Sequence, residues 1–318
     1  MAKAPISGRM SYVAVPTDRG TFIWGGDGAA DARSGAIYQA GQDRWSTVAR
    51  SPSDNRVGVA AAWSGREVML WGGLRLDRAE EDGLAYAPRH DRWSRIPKAP
   101  IGGGLAVGAW TGGAFVVVSS KAQAAAWDPA AERWHRLPDP PIPEGHIEGV
   151  WTGTELIVLG IGDGTTEPII GAALDPSSST WRQIADVPYD GLILGIPPRW
   201  IGTEMVFVAH AYDPVADRWR PLRTAGCRPG SVSPAVVSYG VWTGRLLISQ
   251  ATAYDPHSGS CKTLPRSPVR PGFTDLEIVT HEFHTPFWAD DRLVVWSGGS
   301  GLDGPAPGPD GIVFTPSE

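Results

Sequence analysis

The sequence has few cysteines, no long apolar run and no cluster of basic residues, and each absence excludes a class of protein. Only two cysteines occur among 318 residues, so disulfide bonds do not form the framework of the fold. No stretch of about 18 consecutive apolar residues occurs, which excludes a membrane-spanning helix. The net charge is −6 and the basic residues are dispersed, which argues against nucleic acid as a partner because phosphate binding requires clustered positive charge.

The cysteines and the N-terminus bear on the cellular compartment. Cys227 and Cys261 either form one disulfide or act as two separate small apolar residues. The chain as given begins without a basic segment followed by an apolar stretch, so no signal peptide is predicted. If a segment before residue 1 was removed, a leader peptide could have been removed with it. In that case an extracytoplasmic location is favoured.

The chain contains a repeated phrase: Trp-Thr-Gly, an apolar run, an Asp-Pro pair and a further Trp. The clearest copies begin at Trp110, Trp151, Trp200 and Trp242. Repeats of about 40–50 residues built from short strands are typical of a β-propeller, because one unit cannot bury its own faces and must pack on its neighbours. We therefore predict a single all-β domain over residues 1–318, a seven-bladed β-propeller of four-stranded antiparallel blades.

Each copy predicts an inner strand (A), two further strands (B and C) and an outer strand (D) that carries the second Trp. Six copies have a landmark in strand D, namely Trp45, Trp93, Trp134, Trp181, Trp219 and Cys261. The seventh has none, since the sequence stops after its strand C. The N-terminal Lys3-Ala4-Pro5-Ile6 matches Lys98-Ala99-Pro100-Ile101, which follows a D strand. The last blade is thus expected to be incomplete or closed by the N-terminus, with residues 1–4 as a strand stub or with an upstream segment removed.

The repeat resembles the kelch propeller, in a Trp-rich bacterial form similar to the central domain of galactose oxidase. The resemblance is carried by the Asp-Pro turns, the spaced Trp residues and the small pairs after strand B, which are Gly25-Gly26, Gly72-Gly73 and Gly298-Gly299. It covers essentially the whole chain and implies a monomer. Kelch propellers include oxidases, epimerases, lyases and interaction modules, so the resemblance implies no single activity.

The recurring aromatic residues are interpreted as packing residues between blades. Tyr38, Tyr86, Tyr212 and Tyr254 all occupy one repeated position in strand C. Copper-radical oxidation of the galactose oxidase type needs tyrosine ligands and a tyrosine cross-linked to cysteine. That chemistry is disfavoured here because most tyrosines are accounted for by the repeat.

We predict that function lies on the face formed by the B–C and D–A loops, which we call the loop face. The turns on the opposite face are short and uniform, whereas the loops on the loop face vary in length, for example residues 27–34, 74–83 and 265–284. Variable loops on a rigid scaffold are a usual place for binding. The candidate ligand-binding residues are Arg9, Arg56, Glu144, His146, Glu148, His210, His281, Glu282 and His284.

One inner-strand position varies more than packing requires. Arg56, Glu144 and His281 stand seven residues before the Trp that ends their inner strands, and Arg9 is equivalent in the first blade. The other blades have small or apolar residues there. Glu144 and Glu148 are separated by an even number of residues, so both can project to one side of a strand. Charged groups in only some blades favour a specific site.

Binding of a small polar or anionic ligand, a glycan or a protein is the preferred function. Arg9 and Arg56 would meet an anionic group through paired hydrogen bonds, and the acidic and histidine residues would orient the rest of the ligand. A scaffold without a small-molecule site is the competing interpretation, in which each of these residues serves packing.

The alternative is an enzyme at the same face. A transition metal (Zn, Cu, Fe or Ni) is one candidate cofactor, with the ligands His146, His210, His281 and His284. A metal-free enzyme would use a His–Glu pair as acid and base. In that case Arg56 would hold a carboxylate, as the resemblance to sialic-acid-epimerising kelch propellers implies.

Overall fold

The protein is a β-propeller of seven antiparallel blades, as the repeats predict. The computed structural model describes residues 1–162, 168–188, 196–224, 226–227, 240–249, 252–264, 286–296 and 311–315. Six blades have four strands and the last has three. In the described residues the only helix is a single 3-10 turn at Ala40–Gln42, and no helix there is long and apolar enough to cross a membrane.

The strands of the first three blades run in chain order from the inner to the outer strand. Blade one contains β1 (Val13–Thr17), β2 (Gly20–Trp24), β3 (Ala36–Gln39) and β4 (Arg44–Thr47). Blade two contains β5 (Ala60–Trp63), β6 (Val68–Trp71), β9 (Gly83–Ala87) and β10 (Arg92–Ile96), and its B–C loop forms a hairpin of β7 (Leu74–Arg75) and β8 (Arg78–Ala79). Blade three contains β11 (Ala106–Trp110), β12 (Phe115–Ser119), β13 (Gln123–Asp128) and β14 (Arg133–Arg136).

The remaining blades follow the same order. Blade four contains β15 (His146–Trp151), β16 (Leu156–Ile161), β17 (Ile170–Asp175) and β18 (Thr180–Gln183). Blade five contains β19 (Arg199–Trp200), β20 (Met205–Phe207), β21 (His210–Asp213) and β22 (Arg218–Pro221). Blade six contains β23 (Val241–Trp242), β24 (Leu247–Ser249), β25 (Thr252–Asp255) and β26 (Ser260–Thr263), and blade seven contains β27 (Phe287–Ala289), β28 (Arg292–Trp296) and β29 (Gly311–Phe314).

The inner strands follow one another around a central channel in the order of the chain. The B strands are mostly apolar, and β12 and β16 are buried throughout, because neighbouring blades cover both of their faces. Blade seven meets blade one through polar contacts as well. The Tyr12 hydroxyl donates to the Trp296 carbonyl at 2.9 Å, and the Gly41 amide donates to Asp290 Oδ2 at 2.8 Å.

The Thr-Gly and Asp-Pro turns take the predicted conformations. Gly112 and Gly153 have φ values of 95° and 103°, a region that glycine enters without steric cost. Asp128 Oδ1 accepts the amides of Ala130 and Ala131 at 2.9 and 3.0 Å, as expected of an aspartate that starts a tight turn.

A recurring hydrogen bond joins each blade to the linker that leaves the previous one. The indole Nε1–H of the outer-strand Trp donates to a linker carbonyl over 2.7 to 3.1 Å, in the pairs Trp45–Ala2, Trp93–Ala49, Trp134–Pro97, Trp181–Pro138 and Trp219–Ala185. We call this hydrogen bond the interblade clamp. Three of these indoles, those of Trp45, Trp93 and Trp134, pack on buried B-strand tryptophans of the preceding blade. Trp93, for example, lies 5.8 Å from Trp24 between ring centroids.

An aspartate reinforces the interblade clamp in three blades. In blade two, Asp91 Oδ1 accepts the Ala49 amide at 2.6 Å and the Tyr86 hydroxyl at 2.7 Å. Asp43 and Asp217 make the same pair of contacts in blades one and five. The donated hydrogen bonds lower the pKa of both of these carboxyl groups, because they stabilise the charged form.

The aspartate is absent where the linker residue has no amide hydrogen. In blades three and four the clamp carbonyl belongs to Pro97 and Pro138, and proline cannot donate. Glu132 and Ser179 stand there in place of the aspartate, with the same left-handed φ of 49° and 55°. Among the five blades with the clamp, the aspartate thus occurs where the linker residue has an amide to donate to it.

Blade six replaces the clamp with a covalent bond. Cys261 stands at the outer-strand Trp position and forms a disulfide with Cys227, 34 residues earlier, in the linker that leaves blade five. The Tyr254 hydroxyl donates to the Arg223 carbonyl at 2.9 Å, which is the linker position that accepts an indole in the other blades. Of the two interpretations of the cysteines, the structure shows the disulfide.

The N-terminus packs against blade seven without adding a strand to it. Residues 1–4 form no strand and take part in no strand pairing among the described residues. Ala4 and Ile6 are buried beside Trp296 as Ala99 and Ile101 are buried beside Trp71. Among the described residues the last blade has three strands.

We expect Trp93→Phe to lower the free energy of unfolding more than Trp110→Phe does. Trp110 is a half-buried inner-strand residue whose indole has no hydrogen-bond partner among the described residues. Trp93→Phe removes a donor and leaves the Ala49 carbonyl without its hydrogen bond. The additional loss in free energy of unfolding should be about 1–2 kcal/mol. Chemical denaturation of Trp93→Phe and Trp110→Phe measures the difference, and equal losses would contradict a role for the clamp.

Reduction of the disulfide should lower the free energy of unfolding by about 2–4 kcal/mol, because the bond restricts the unfolded chain. The measurement is thermal unfolding with and without a thiol reductant. The double variant Cys227→Ala/Cys261→Ala serves as control and should not respond to the reductant. A similar response in both proteins would show that the reductant acts elsewhere.

Candidate functional site

The inner strands contain only three ionisable side chains within their described residues. His146 and Glu148 lie on β15 and Arg199 lies on the neighbouring β19. The other inner strands consist of apolar residues, glycine, proline and threonine. Among the inner-strand residues that the structure describes, ionisable side chains therefore occur only in blades four and five.

His146 and Glu148 form a hydrogen-bonded pair at the loop-face end of β15. They are two residues apart, so both project from the same side of the strand. His146 Nε2 lies 2.9 Å from Glu148 Oε1, and their side chains are 19% and 15% exposed. The pair is thus largely shielded and still reachable from solvent. A hydrogen bond donated by Nε2 to a carboxylate makes Nδ1 the acceptor nitrogen of the neutral ring.

Arg199 adds a positive charge on the adjacent inner strand. Its Nε donates to the Gly240 carbonyl at 2.8 Å, and its Nη1 lies 3.4 Å from the Pro197 and Pro198 carbonyls. Burial lowers the pKa of Arg199, and the charge of Glu148 raises it in part. The two charges therefore interact through space. Among the described ion pairs closer than 4.0 Å, however, none joins them, so the outer nitrogens of Arg199 are not committed to that carboxylate.

Arg9 and Arg56 are buried and hydrogen-bonded to carbonyls of their own blades. Arg56 Nη1 donates to the Asp82 carbonyl at 2.9 Å and Nη2 to Asp82 Oδ1 at 2.7 Å. Arg9 Nη1 donates to the Ser34 carbonyl at 2.9 Å and Nη2 to Ser34 Oγ at 2.7 Å. Each arginine thus fastens the end of the B–C loop in its blade. Contact of these two side chains with a ligand stays a prediction.

Glu144 and His210 lie apart from the His146–Glu148 pair. Glu144 is 63% exposed and lies 3.5 Å from Lys121 Nζ. His210 begins β21, the third strand of blade five, which puts it two strand spacings, roughly 10 Å, outside the inner strand. The structure therefore places these residues on the loop face but not in one cluster.

The remaining candidates, His281, Glu282 and His284, lie outside the described residues. Within the described ranges, no group of three or more His, Cys, Asp or Glu side chains is arranged to hold a metal ion. Glu144, His146, Glu148 and His210 thus do not form a metal site by themselves. A transition-metal site that includes residues 281–284 stays a prediction.

Sequence reasoning missed Arg199. The repeat carried a signal for it, since the residue before the inner-strand Trp is Ala62, Ala109, Val150 or Val241 in other blades. Arg199 is the charged exception at this position. The position compared in the sequence, seven residues before the Trp, lies at the start of each inner strand, whereas Arg199 lies at the end of its strand.

The fold defines the protein as a seven-bladed β-propeller, with a polar region at the inner strands of blades four and five. No protein-family model matches the sequence, and no curated protein matches it either. Solved structures with a similar fold include that of YjhT, which has a TM-score of 0.61 and 14% sequence identity and covers 100% of this chain and 97% of its own. At this level of identity, the similarity concerns the fold.

The half-buried position of His210 predicts a dependence of stability on pH. Burial lowers the pKa of His210, so the unfolded chain, with a histidine pKa of about 6.5, takes up the proton first. Stability is then lost as the pH falls below about 6.5. The melting temperature of His210→Gln should fall less than that of the unmodified protein between about pH 7 and about pH 5. The exposed His90, changed to Gln, is the control, and equal behaviour of both variants would contradict the assignment.

Proposed function

We propose that the protein is a kelch-type propeller that binds a small anionic ligand at His146, Glu148 and Arg199, entered from the loop face. The observation that supports this proposal is that, among the described inner-strand residues, all ionisable side chains lie in blades four and five. The Gly-Gly pairs, Asp-Pro turns and spaced tryptophans support the kelch type. A packing role would be met by the small and apolar residues that the other inner strands use.

Arg199 is the group that would recognise the anion. Its Nε donates to the Gly240 carbonyl, which fixes the guanidinium plane. A carboxylate bound to the outer nitrogens through paired hydrogen bonds would compete with the long contacts of 3.4 Å from Nη1 to the Pro197 and Pro198 carbonyls. The half-buried position excludes much of the water that would weaken this contact. Glu148 supplies an acceptor close by. A matching ligand therefore carries a carboxylate and, a few ångströms away, a hydroxyl or ammonium donor.

An enzyme at the same place is the second candidate, favoured by the His146–Glu148 contact of 2.9 Å. A carboxylate that holds a histidine in one tautomer prepares its other nitrogen to take a proton from a bound molecule. Arg199 would then bind the carboxylate of the substrate and stabilise negative charge that develops beside it.

Binding is tested with a panel of hydroxy acids, amino acids and uronic acids, each compared with its uncharged amide. The carboxylates should raise the melting temperature and the amides should not. Arg199→Met should weaken binding of the best carboxylate roughly 10- to 100-fold, because a hydrogen bond to a charged group contributes about 1.5–3 kcal/mol. Isothermal titration calorimetry measures the change.

Arg133→Met is the matched control, since Arg133 is an exposed arginine on the outer strand β14. It should leave affinity unchanged. Equal affinity of Arg199→Met and the unmodified protein would refute the assignment of the anion site. For the enzyme candidate, NMR of the bound carboxylate over time reports conversion, and Glu148→Gln should stop conversion while binding persists.

A further inference from the structure

Blades four and five each contain an internal ion pair on the face formed by the A–B and C–D turns, which we call the turn face. In blade four, Arg182 Nη2 donates to Glu155 Oε2 at 2.8 Å and its Nε donates to Oε1 at 3.2 Å. In blade five, Arg220 Nε and Nη2 donate to the two carboxylate oxygens of Glu204. Each pair joins the A–B turn to the outer strand of the same blade through two parallel hydrogen bonds.

Blade two has the glutamate of this pair in the same place. The Glu67 carbonyl accepts the Ser64 amide at 3.0 Å, and in blade four the Glu155 carbonyl accepts the Thr152 amide at 3.0 Å. The two A–B turns therefore close in the same way and direct the glutamates alike. Glu67 is half-buried, and among the described residues its carboxylate has neither a hydrogen bond nor an ion pair.

The arginine of the pair is replaced by serine in blade two. Ser94 directly follows the outer-strand Trp and lies opposite Ala85 in strand C. Arg182 stands at the same position of blade four, opposite Ala173. The side chain that would neutralise Glu67 is therefore absent from its own blade.

A cavity of about 440 Å³ lies on blade two beside this glutamate. Glu67 and Ser94 both line it, together with Ala87, His90, Arg92 and Trp93. Because the cavity touches both the glutamate and the serine, it includes the space that an arginine side chain fills in blades four and five. Its volume lies within the range of small-molecule sites, roughly 300–1,000 Å³.

The following blade offers a second carboxylate to a cation in this cavity. Arg182 Nη1 lies 3.8 Å from Asp217, in the C–D turn of the blade after its own. Glu132 stands at that turn position in blade three, with a φ of 49° against 46° for Asp217. The hydroxyl of Tyr212, which also accepts Arg182, is not reproduced, since Trp127 takes that place. Negative charge is thus kept on both sides of the position.

The positive charge of Arg92 does not exclude a cation from the cavity. Arg92 directly precedes the outer-strand Trp of blade two, and Arg218 has the same position in blade five. Blade five nevertheless holds Arg220 on Glu204. An arginine before the Trp is therefore compatible with a guanidinium on the glutamate.

We propose that this cavity binds the guanidinium group of a ligand, which is either a free guanidino compound or an arginine side chain of a polypeptide. Glu67 would accept paired hydrogen bonds from the planar group, as Glu155 and Glu204 do within their own blades. An ammonium group lacks this planar pair of donors, so the site should prefer guanidinium at equal charge. The cavity lies on the face opposite the proposed anion site, and its test is independent of the proposed function.

The probes are methylguanidinium and a blocked arginine (Nα-acetyl-arginine N-methylamide), with methylammonium as the comparison of equal charge. We expect the first two to shift the NMR signals of the Glu67 and Ser94 amides in a saturable manner, and methylammonium to bind about tenfold more weakly or less. Tighter binding of the blocked arginine than of methylguanidinium assigns the site to a polypeptide side chain. Equal or weaker binding assigns it to a free guanidino compound.

Glu67→Gln should weaken binding of methylguanidinium about tenfold or more, because it removes the charged acceptor. Asp77→Asn is the matched control, since Asp77 is an exposed carboxylate in the B–C loop of the same blade, and it should leave affinity unchanged. Equal affinity of Glu67→Gln and the unmodified protein, no saturable shift with either guanidinium probe, or equal binding of methylammonium would overturn the proposal.

A second variant fills the cavity from within. Ser94→Arg should recreate the internal pair of blades four and five, raise the melting temperature and prevent binding of methylguanidinium. Ser46→Arg adds the same charge at the equivalent position of blade one, where Gly20 stands in place of the glutamate, and should leave binding unchanged. Undiminished binding to a folded Ser94→Arg protein would show that the probe binds elsewhere and would overturn the assignment to this cavity.

Discussion

The hydrogen bond from an outer-strand indole to a linker carbonyl determines how neighbouring blades sit against each other. The blades are twisted sheets with apolar faces, and apolar contact has little directional preference. A hydrogen bond, in contrast, is sensitive to distance and angle. The interblade clamp therefore sets the position of each blade, while the buried tryptophans and aliphatic residues supply most of the stabilising area. Blade six achieves the same connection with the Cys227–Cys261 disulfide.

The polar region depends on this fixed arrangement. Arg199 reaches from blade five to the Gly240 carbonyl beside blade six, while Glu148 acts on it from blade four. Three blades thus define one electrostatic environment. A shift of one blade would change the distance between Arg199 and Glu148, and with it the balance between burial and opposite charge that sets the pKa of the arginine.

The repeats were sufficient to predict the fold, because each Trp-Thr-Gly and Asp-Pro phrase specifies a turn by local chemistry. The number of blades followed from counting those phrases, whereas the counting left open whether the last blade is incomplete or closed by the N-terminus. Contacts between distant residues were harder to predict. The burial of Arg9 and Arg56 depends on carbonyls that come together only after the B–C loops close. Arg199 is a single charged residue at the position directly before the inner-strand Trp, where the other blades have apolar residues. It was not predicted because the sequence analysis compared the position seven residues before that Trp.

The interblade clamp holds the linker by its main chain, and this has a consequence for how the protein can change over evolutionary time. The clamp position is Ala49, Pro97, Pro138, Ala185 or Arg223 in different blades. Side chains as unlike as these share only a carbonyl oxygen. Substitutions in the linkers, and insertions beyond the clamp position, are therefore tolerated without loss of the ring. New recognition loops can arise on one face of the molecule while its architecture stays constant.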